Sequence, residues 1–117
     1  MLNPEYTKSA EKPEKVVASR DGFYYYNYDI QELTDDTINK YSYLSVEVEG
    51  ELSYKKCSKA VIEMFYEPCQ EFDYINTIIK AILTNDAESK TTAEAEYDVY
   101  RNKVAEIKSK VKEDFAD

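Results

Sequence analysis

Between Gly22 and Gly50 the chain carries two runs in which apolar and polar side chains alternate, and this pattern restricts the possible folds more than any other feature. The first run is Phe23-Tyr24-Tyr25-Tyr26-Asn27-Tyr28-Asp29-Ile30, and the second is Tyr41-Ser42-Tyr43-Leu44-Ser45-Val46-Glu47-Val48. Successive side chains of a strand point to opposite faces, so Tyr24, Tyr26, Tyr28 and Ile30 share one face and Phe23, Tyr25, Asn27 and Asp29 the other. In the second run Leu44, Val46 and Val48 oppose Tyr43, Ser45, Glu47 and Glu49. Thr34-Asp35-Asp36-Thr37 lies between the runs and has the short polar side chains that hydrogen-bond local backbone in turns. Each strand has one greasy and one mixed face, and an antiparallel hairpin backed by helices buries the greasy one. Val16 and Val17 extend the first strand backwards, with Arg20-Asp21-Gly22 as a kink or bulge within it.

After Gly50 the period changes from two to about 3.6. Ser53 is placed to cap a helix over residues 53–66, with Tyr54, Cys57, Ser58, Val61, Ile62 and Phe65 on one face. Pro68 ends that helix and opens another over 68–84, because proline suits a first turn and not an interior. Its stripe of Phe72, Ile75, Ile78, Ile79, Ile82 and Leu83 is the most apolar in the chain and predicts a central core helix. Replacing Ile79 by alanine would then cost about 2–5 kcal/mol. Thr91 and Glu94 match the capping-box spacing for a last helix over 91–115, with Tyr97, Tyr100, Val104, Ile107 and Val111 along its buried face. Residues 1–15, with Pro4 and Pro13, are expected as a flexible N-terminal arm, and 16–117 as a single α+β domain of order β-β-α-α-α.

Composition narrows the chemistry. Twenty-four acidic against fifteen basic residues give a formal charge of −9, which repels phosphate backbones and anionic headgroups, so neither generic nucleic-acid binding nor membrane binding is expected. No apolar run approaches the length of a membrane span and no export signal is visible, so a cytoplasmic setting is expected. Histidine is absent, which removes the commonest general base and most transition-metal sites. Cys57 and Cys69 have no zinc spacing and are expected as reduced thiols. Asp35-Asp36 lacks the alternating ligands of a calcium loop and reads as a turn. Glu71 with Asp73, and Glu94 with Glu96, point apart on a helix and are not acid/base couples. The expectation is a non-enzyme with no catalytic residues, metal or cofactor.

The twelve tyrosines carry the remaining signal. A ring with a flat apolar face and a polar tip serves both cross-strand packing and partner contact, so two readings stand: core, or an outward set of Phe23, Tyr25 and Tyr43 that meets a protein partner or a second copy.

The proline- and lysine-containing arm, the hairpin ending Ser45-Val46-Glu47-Val48-Glu49-Gly50, and the segments Ala60-Val61-Ile62-Glu63-Met64-Phe65-Tyr66 and Glu96-Tyr97-Asp98-Val99-Tyr100-Arg101 together give a layout that resembles small uncharacterised phage and prophage proteins of gut bacteria found near tail or fibre genes. That resemblance implies an accessory, virion-associated structural or assembly role and supplies no site residues. An acidic adaptor or inhibitor of a host protein is the alternative.

Overall fold

The aromatic hairpin forms and gathers two further strands. The computed structural model describes residues 1–116, in the order β1 (Thr7–Ser9), β2 (Val16–Ala18), β3 (Phe23–Glu32), β4 (Tyr41–Glu49), α1 (Tyr54–Phe65), α2 (Gln70–Leu83) and α3 (Ala87–Asp114). The class is α+β, with the strands N-terminal and the helices C-terminal. The sheet, however, has four antiparallel strands in the order β1-β4-β3-β2, where the sequence predicts two. A bare hairpin offers two edges of unpaired N–H and C=O groups, and the short N-terminal strands take one each. Three-residue strands are too short for alternation to reveal them. β1 lies within the segment expected as an arm, and the Leu2 N–H donates to the Phe65 carbonyl at 2.7 Å.

Arg20-Asp21-Gly22 reverses the chain between β2 and β3 rather than kinking one long strand. The Ser19 N–H donates to the Phe23 carbonyl (3.1 Å) and the Phe23 N–H to the Arg20 carbonyl (2.8 Å). Gly22 sits at φ 76°, a left-handed conformation that glycine adopts without steric cost. At the other end of β3, Asp36 Oδ1 accepts from the Ile38 and Asn39 amides at 2.8 and 2.9 Å and closes the β3–β4 loop. Those bonds, Asn39 first, hold the Asp36 carboxyl below its ordinary range.

A bulge changes one side chain's destination. Tyr28 faces Leu44 but Gln31 faces Ser42, so β3 holds one extra residue there, and Asp29 adopts φ 55°. Asp29 therefore leaves the outward set. Its carboxylate accepts from the Tyr6 hydroxyl (3.3 Å) and lies 3.2 Å from Lys110 Nζ on α3.

α1 and the C-terminal half of α3 cover the inward face. Tyr26, Tyr28, Leu44, Cys57, Val61, Ile107 and Val111 have no exposed surface, and Val46, Phe65 and Tyr66 are nearly as deep. The Tyr26 hydroxyl donates to the Asp114 carboxylate, whose other oxygen meets Lys15 Nζ at 3.3 Å. Ser53 caps α1 as expected, accepting from the Lys56 amide at 3.2 Å. α3 starts four residues earlier than the capping-box reading: Asp86 accepts from the Ser89 amide (3.1 Å) and hydroxyl (2.7 Å), and Thr91 already lies inside the helix, donating to the Ala87 carbonyl at 3.0 Å.

α2 is not the core helix. Phe72, Ile79, Ile82 and Leu83 are 68, 48, 56 and 80% exposed, and Ala81 is the buried residue of the helix. The sheet's greasy face is already filled by α1 and α3, so α2 rests on the N-terminal half of α3; among the described residues no other element gives it a comparable surface. The α2–α3 hairpin thus projects from the body. The molecule measures 54 × 36 × 25 Å with a radius of gyration of 17.7 Å, against about 13 Å for a compact chain of this length.

Candidate functional site

Two surfaces carry unsatisfied apolar area, and the sequence pointed to the lesser one. On the outward face of the sheet, Tyr25 is 40% exposed and Tyr43 half-buried, and both line a shallow groove of about 460 Å³ with Val17, Asn27 and Pro13. Phe23 does not join them. It lies at the β2–β3 turn under the Arg20 guanidinium, 4.0 Å from the ring centre, and Arg20 in turn pairs with Glu47 at 3.0 Å. The Ser19 hydroxyl donates to Glu47 at 2.7 Å and, with Arg20, holds that carboxyl below its ordinary range. Asn27 also faces outward, yet it is 5% exposed, because its side-chain amide donates to the Glu14 carbonyl at 2.7 Å and the chain between β1 and β2 covers it. The N-terminal segment therefore caps part of the face that the alternation left open.

The larger surface is on α2. Tyr74, Ile78 and Ala81 follow the spacing of the face turned to α3, where Tyr74 meets Tyr97 and Tyr100 with ring centres 6.1 and 5.7 Å apart. Phe72, Ile75, Ile79 and Ile82 follow steps of three, four and three along a second face, with Leu83 beside them; Ile75 is half-buried and the other four are exposed. The signal was present in the sequence. A helix apolar on two faces needs two neighbours, and the narrow stripe of α3 supplies one.

At the N-terminal end of this second face lies a mostly apolar groove of about 330 Å³, lined by Ile62, Tyr66, Pro68, Phe72 and Tyr100, with Lys55, Lys59 and Lys108 also on its walls. Tyr66 packs edge-on against Tyr100 at 4.8 Å, so a chain of tyrosine rings runs from the end of α1 through α3 to α2 and ties the hairpin to the body. The Tyr66 hydroxyl is buried without a hydrogen-bond partner among the described residues, and burial, then the nearby Tyr74, raises its pKa.

The charged corner at the end of α3 is built differently. Asp29, Lys110 and Glu106 form a chain of contacts of 3.2 Å each, and Asp29 and Lys110 line a polar cleft with Lys12, Glu113 and the Lys15–Asp114 pair. Burial works against the Lys110 ammonium, but its bonds to Glu106 and Asp29 more than offset that and raise its pKa. Each lysine of these pairs meets an acid on another segment, Lys110 on α3 with Asp29 of β3 and Lys15 with Asp114 of α3, which makes the corner a clasp between the sheet, α3 and the N-terminal segment. Among the described residues no three His, Cys, Asp or Glu side chains converge as metal ligands, and no helix is long and apolar enough to cross a membrane.

The groups whose protonation is most displaced are all in the core. Burial pushes the Cys57 thiol up to about 11, and burial, then the Asp114 carboxylate, raises Tyr26 far above the ordinary phenol; burial and then Asp29 raise Tyr28. Each is held neutral, and none faces a groove. Compared with protein-family models, with curated proteins and with solved structures, the chain matches none of them.

Proposed function

We propose that this chain is a non-catalytic interaction or assembly protein whose body, the sheet with α1 and the C-terminal half of α3, carries the α2–α3 hairpin as its docking arm. One observation carries the reading: α2 leaves Phe72, Ile79, Ile82 and Leu83 between 48 and 80% exposed on a projecting hairpin. Contiguous apolar area of that kind on a folded chain marks an interaction site, whereas scattered single residues do not. Buried phenols and a buried thiol held neutral suit a core and not reaction chemistry.

An accessory place in a phage- or prophage-encoded particle is the more concrete version, and it rests on the resemblance in layout alone. An acidic adaptor or inhibitor of a host protein is the second version, favoured by the charge of −9. Co-sedimentation with particles supports the first, and salt-sensitive capture of a basic host protein supports the second. The docking reading itself is tested by placing a photo-crosslinking residue at Ile79, and for comparison at Tyr25, in cells of the source. Discrete adducts at position 79 are expected. Adducts confined to position 25 would move the docking surface to the sheet, and their absence at both positions would sink the reading.

A further inference from the structure

A second contact surface, independent of α2, lies on the sheet. The Gly50 N–H donates to the Gly22 carbonyl at 2.7 Å, in register with the pairing of Phe23 with Glu49 and Tyr25 with Glu47. Backbone groups alternate in direction along an antiparallel strand, so Val46 and Val48 turn theirs to β3, while Ser45, Glu47 and Glu49 turn theirs to the opposite side. The neighbouring strand agrees, since Asn27 and Phe23, the partners of Ser45 and Glu49, bond away from β4 to Lys15 and Ser19. On the far side of β4, β1 pairs with Tyr41, Ser42 and Tyr43 alone. The Glu49 carbonyl accepts from Lys56 Nζ at 3.5 Å, and the other outward backbone groups of residues 45–49 have no backbone partner among the described residues. We infer that this open edge takes up an extended segment of a basic protein partner as a fifth strand of the sheet, antiparallel to β4 and in line with β1.

Charge selects that occupant. Ser45, Glu47 and Glu49 face outward along the edge, and both glutamates are exposed. Glu47 meets Arg20 at 3.0 Å, whereas the Glu49 side chain has no cation beside it among the described residues. Full overlap with the same edge of a second copy would set Glu47 directly opposite Glu47, and like charges in that position are destabilising. Edges are commonly guarded by charge against copies of themselves, and here the guard is acidic. A strand with lysine or arginine opposite Glu47 and Glu49 turns it into cross-strand attraction. The residues between those cations fall on the inward face, in line with the buried Val46 and Val48, and are therefore apolar.

The probe is a short acetylated peptide that alternates lysine with valine, added to the full-length protein and followed by amide hydrogen exchange in NMR spectra. In the free protein the Ser45, Glu47 and Glu49 amides should exchange readily and those of Val46 and Val48 slowly; the peptide should slow the first three by about tenfold or more. N-methylation of the peptide's lysines, whose amides face Glu47 and Glu49, should abolish binding at unchanged charge, and N-methylation of its valines should leave it. Glu49→Lys should weaken binding roughly fivefold. Glu47→Pro removes an edge N–H that β3 does not use, so it should keep the fold and lose the peptide. Ile79→Glu should change none of this, which separates the edge from the docking arm. Binding that survives N-methylation of the lysines, or that protects none of the three amides, is charge attraction alone and overturns the inference, as does the lack of any binding at about 1 mM peptide.

Discussion

Tyr26 and Tyr28 sit two residues apart on the same face of β3, both fully buried, and their hydroxyls have opposite fates. That of Tyr26 donates to the Asp114 carboxylate; that of Tyr28 is buried with no partner among the described residues. Removing a hydroxyl bonded to a charged group costs about 1.5–3 kcal/mol, whereas removing an unpaired buried one relieves a desolvation penalty. Tyr26→Phe should therefore lower the urea-unfolding free energy by that amount and Tyr28→Phe should leave it unchanged or raise it. Equal losses in the two variants would show that Tyr28 has a partner in solution.

The two cysteines divide in the same way, since Cys57 is buried and Cys69 exposed. A thiol reagent at neutral pH should modify one thiol of the native protein and two in urea. The raised Cys57 pKa also sets a sign. Folding keeps the proton on a thiol that the unfolded chain releases at an ordinary pKa, so the unfolded state binds fewer protons and stability falls as pH rises from about 9 towards 11. Stability measured by urea across that range should fall more in the wild type than in Cys57→Ala, and parallel curves would remove Cys57 as the cause.

At the scale of elements, α2 and α3 show that an amphipathic pattern and a buried position are separate properties. Ile107 on α3 is fully buried against the sheet, and Ile79 on α2 is 48% exposed. Ile107→Ala should cost about 2–5 kcal/mol, and Ile79→Ala less than about 1 kcal/mol. Equal costs would mean that α2 is covered within one chain. The start of α1 and the break after it were legible from Ser53 and Pro68 because caps and breakers act over a few residues, but Pro68 lies before the Cys69 cap of α2 and not in its first turn. The start of α3 was misread because the Thr91–Glu94 spacing was taken as the cap, whereas Asp86, five residues earlier, accepts from the Ser89 amide and hydroxyl and opens the helix there. β1 was illegible as a strand and β2 was read as the start of β3, because the pairing of both is decided by the edges of the hairpin and not by their own three residues.

For the whole molecule, the projecting hairpin dominates the shape. Small-angle scattering extrapolated to low concentration should give a radius of gyration near 17.7 Å, and a value close to 13 Å would mean that the hairpin folds back onto the body. The faces of the strands were written in the sequence, since alternation is a local and rigid property of the backbone: Tyr26, Tyr28, Leu44, Val46 and Val48 turn inward as the pattern requires. So was the existence of three amphipathic helices. Which helix would lie on the sheet was not, because periodicity states that a face is apolar and says nothing about what covers it. The most apolar helix lost that place to α1 and the C-terminal half of α3, which reach the sheet, while α2 is held on the far half of α3 by a short turn at Asn85 and by the tyrosines at its base. The partner-binding residues read from the strands shared that limit. Tyr25 and Tyr43 do face outward, but the N-terminal segment crosses over Asn27 between their strands, and Asp29 is turned away by a single extra residue. Those outcomes depend on contacts between segments distant in the chain, and only the tertiary structure decides them.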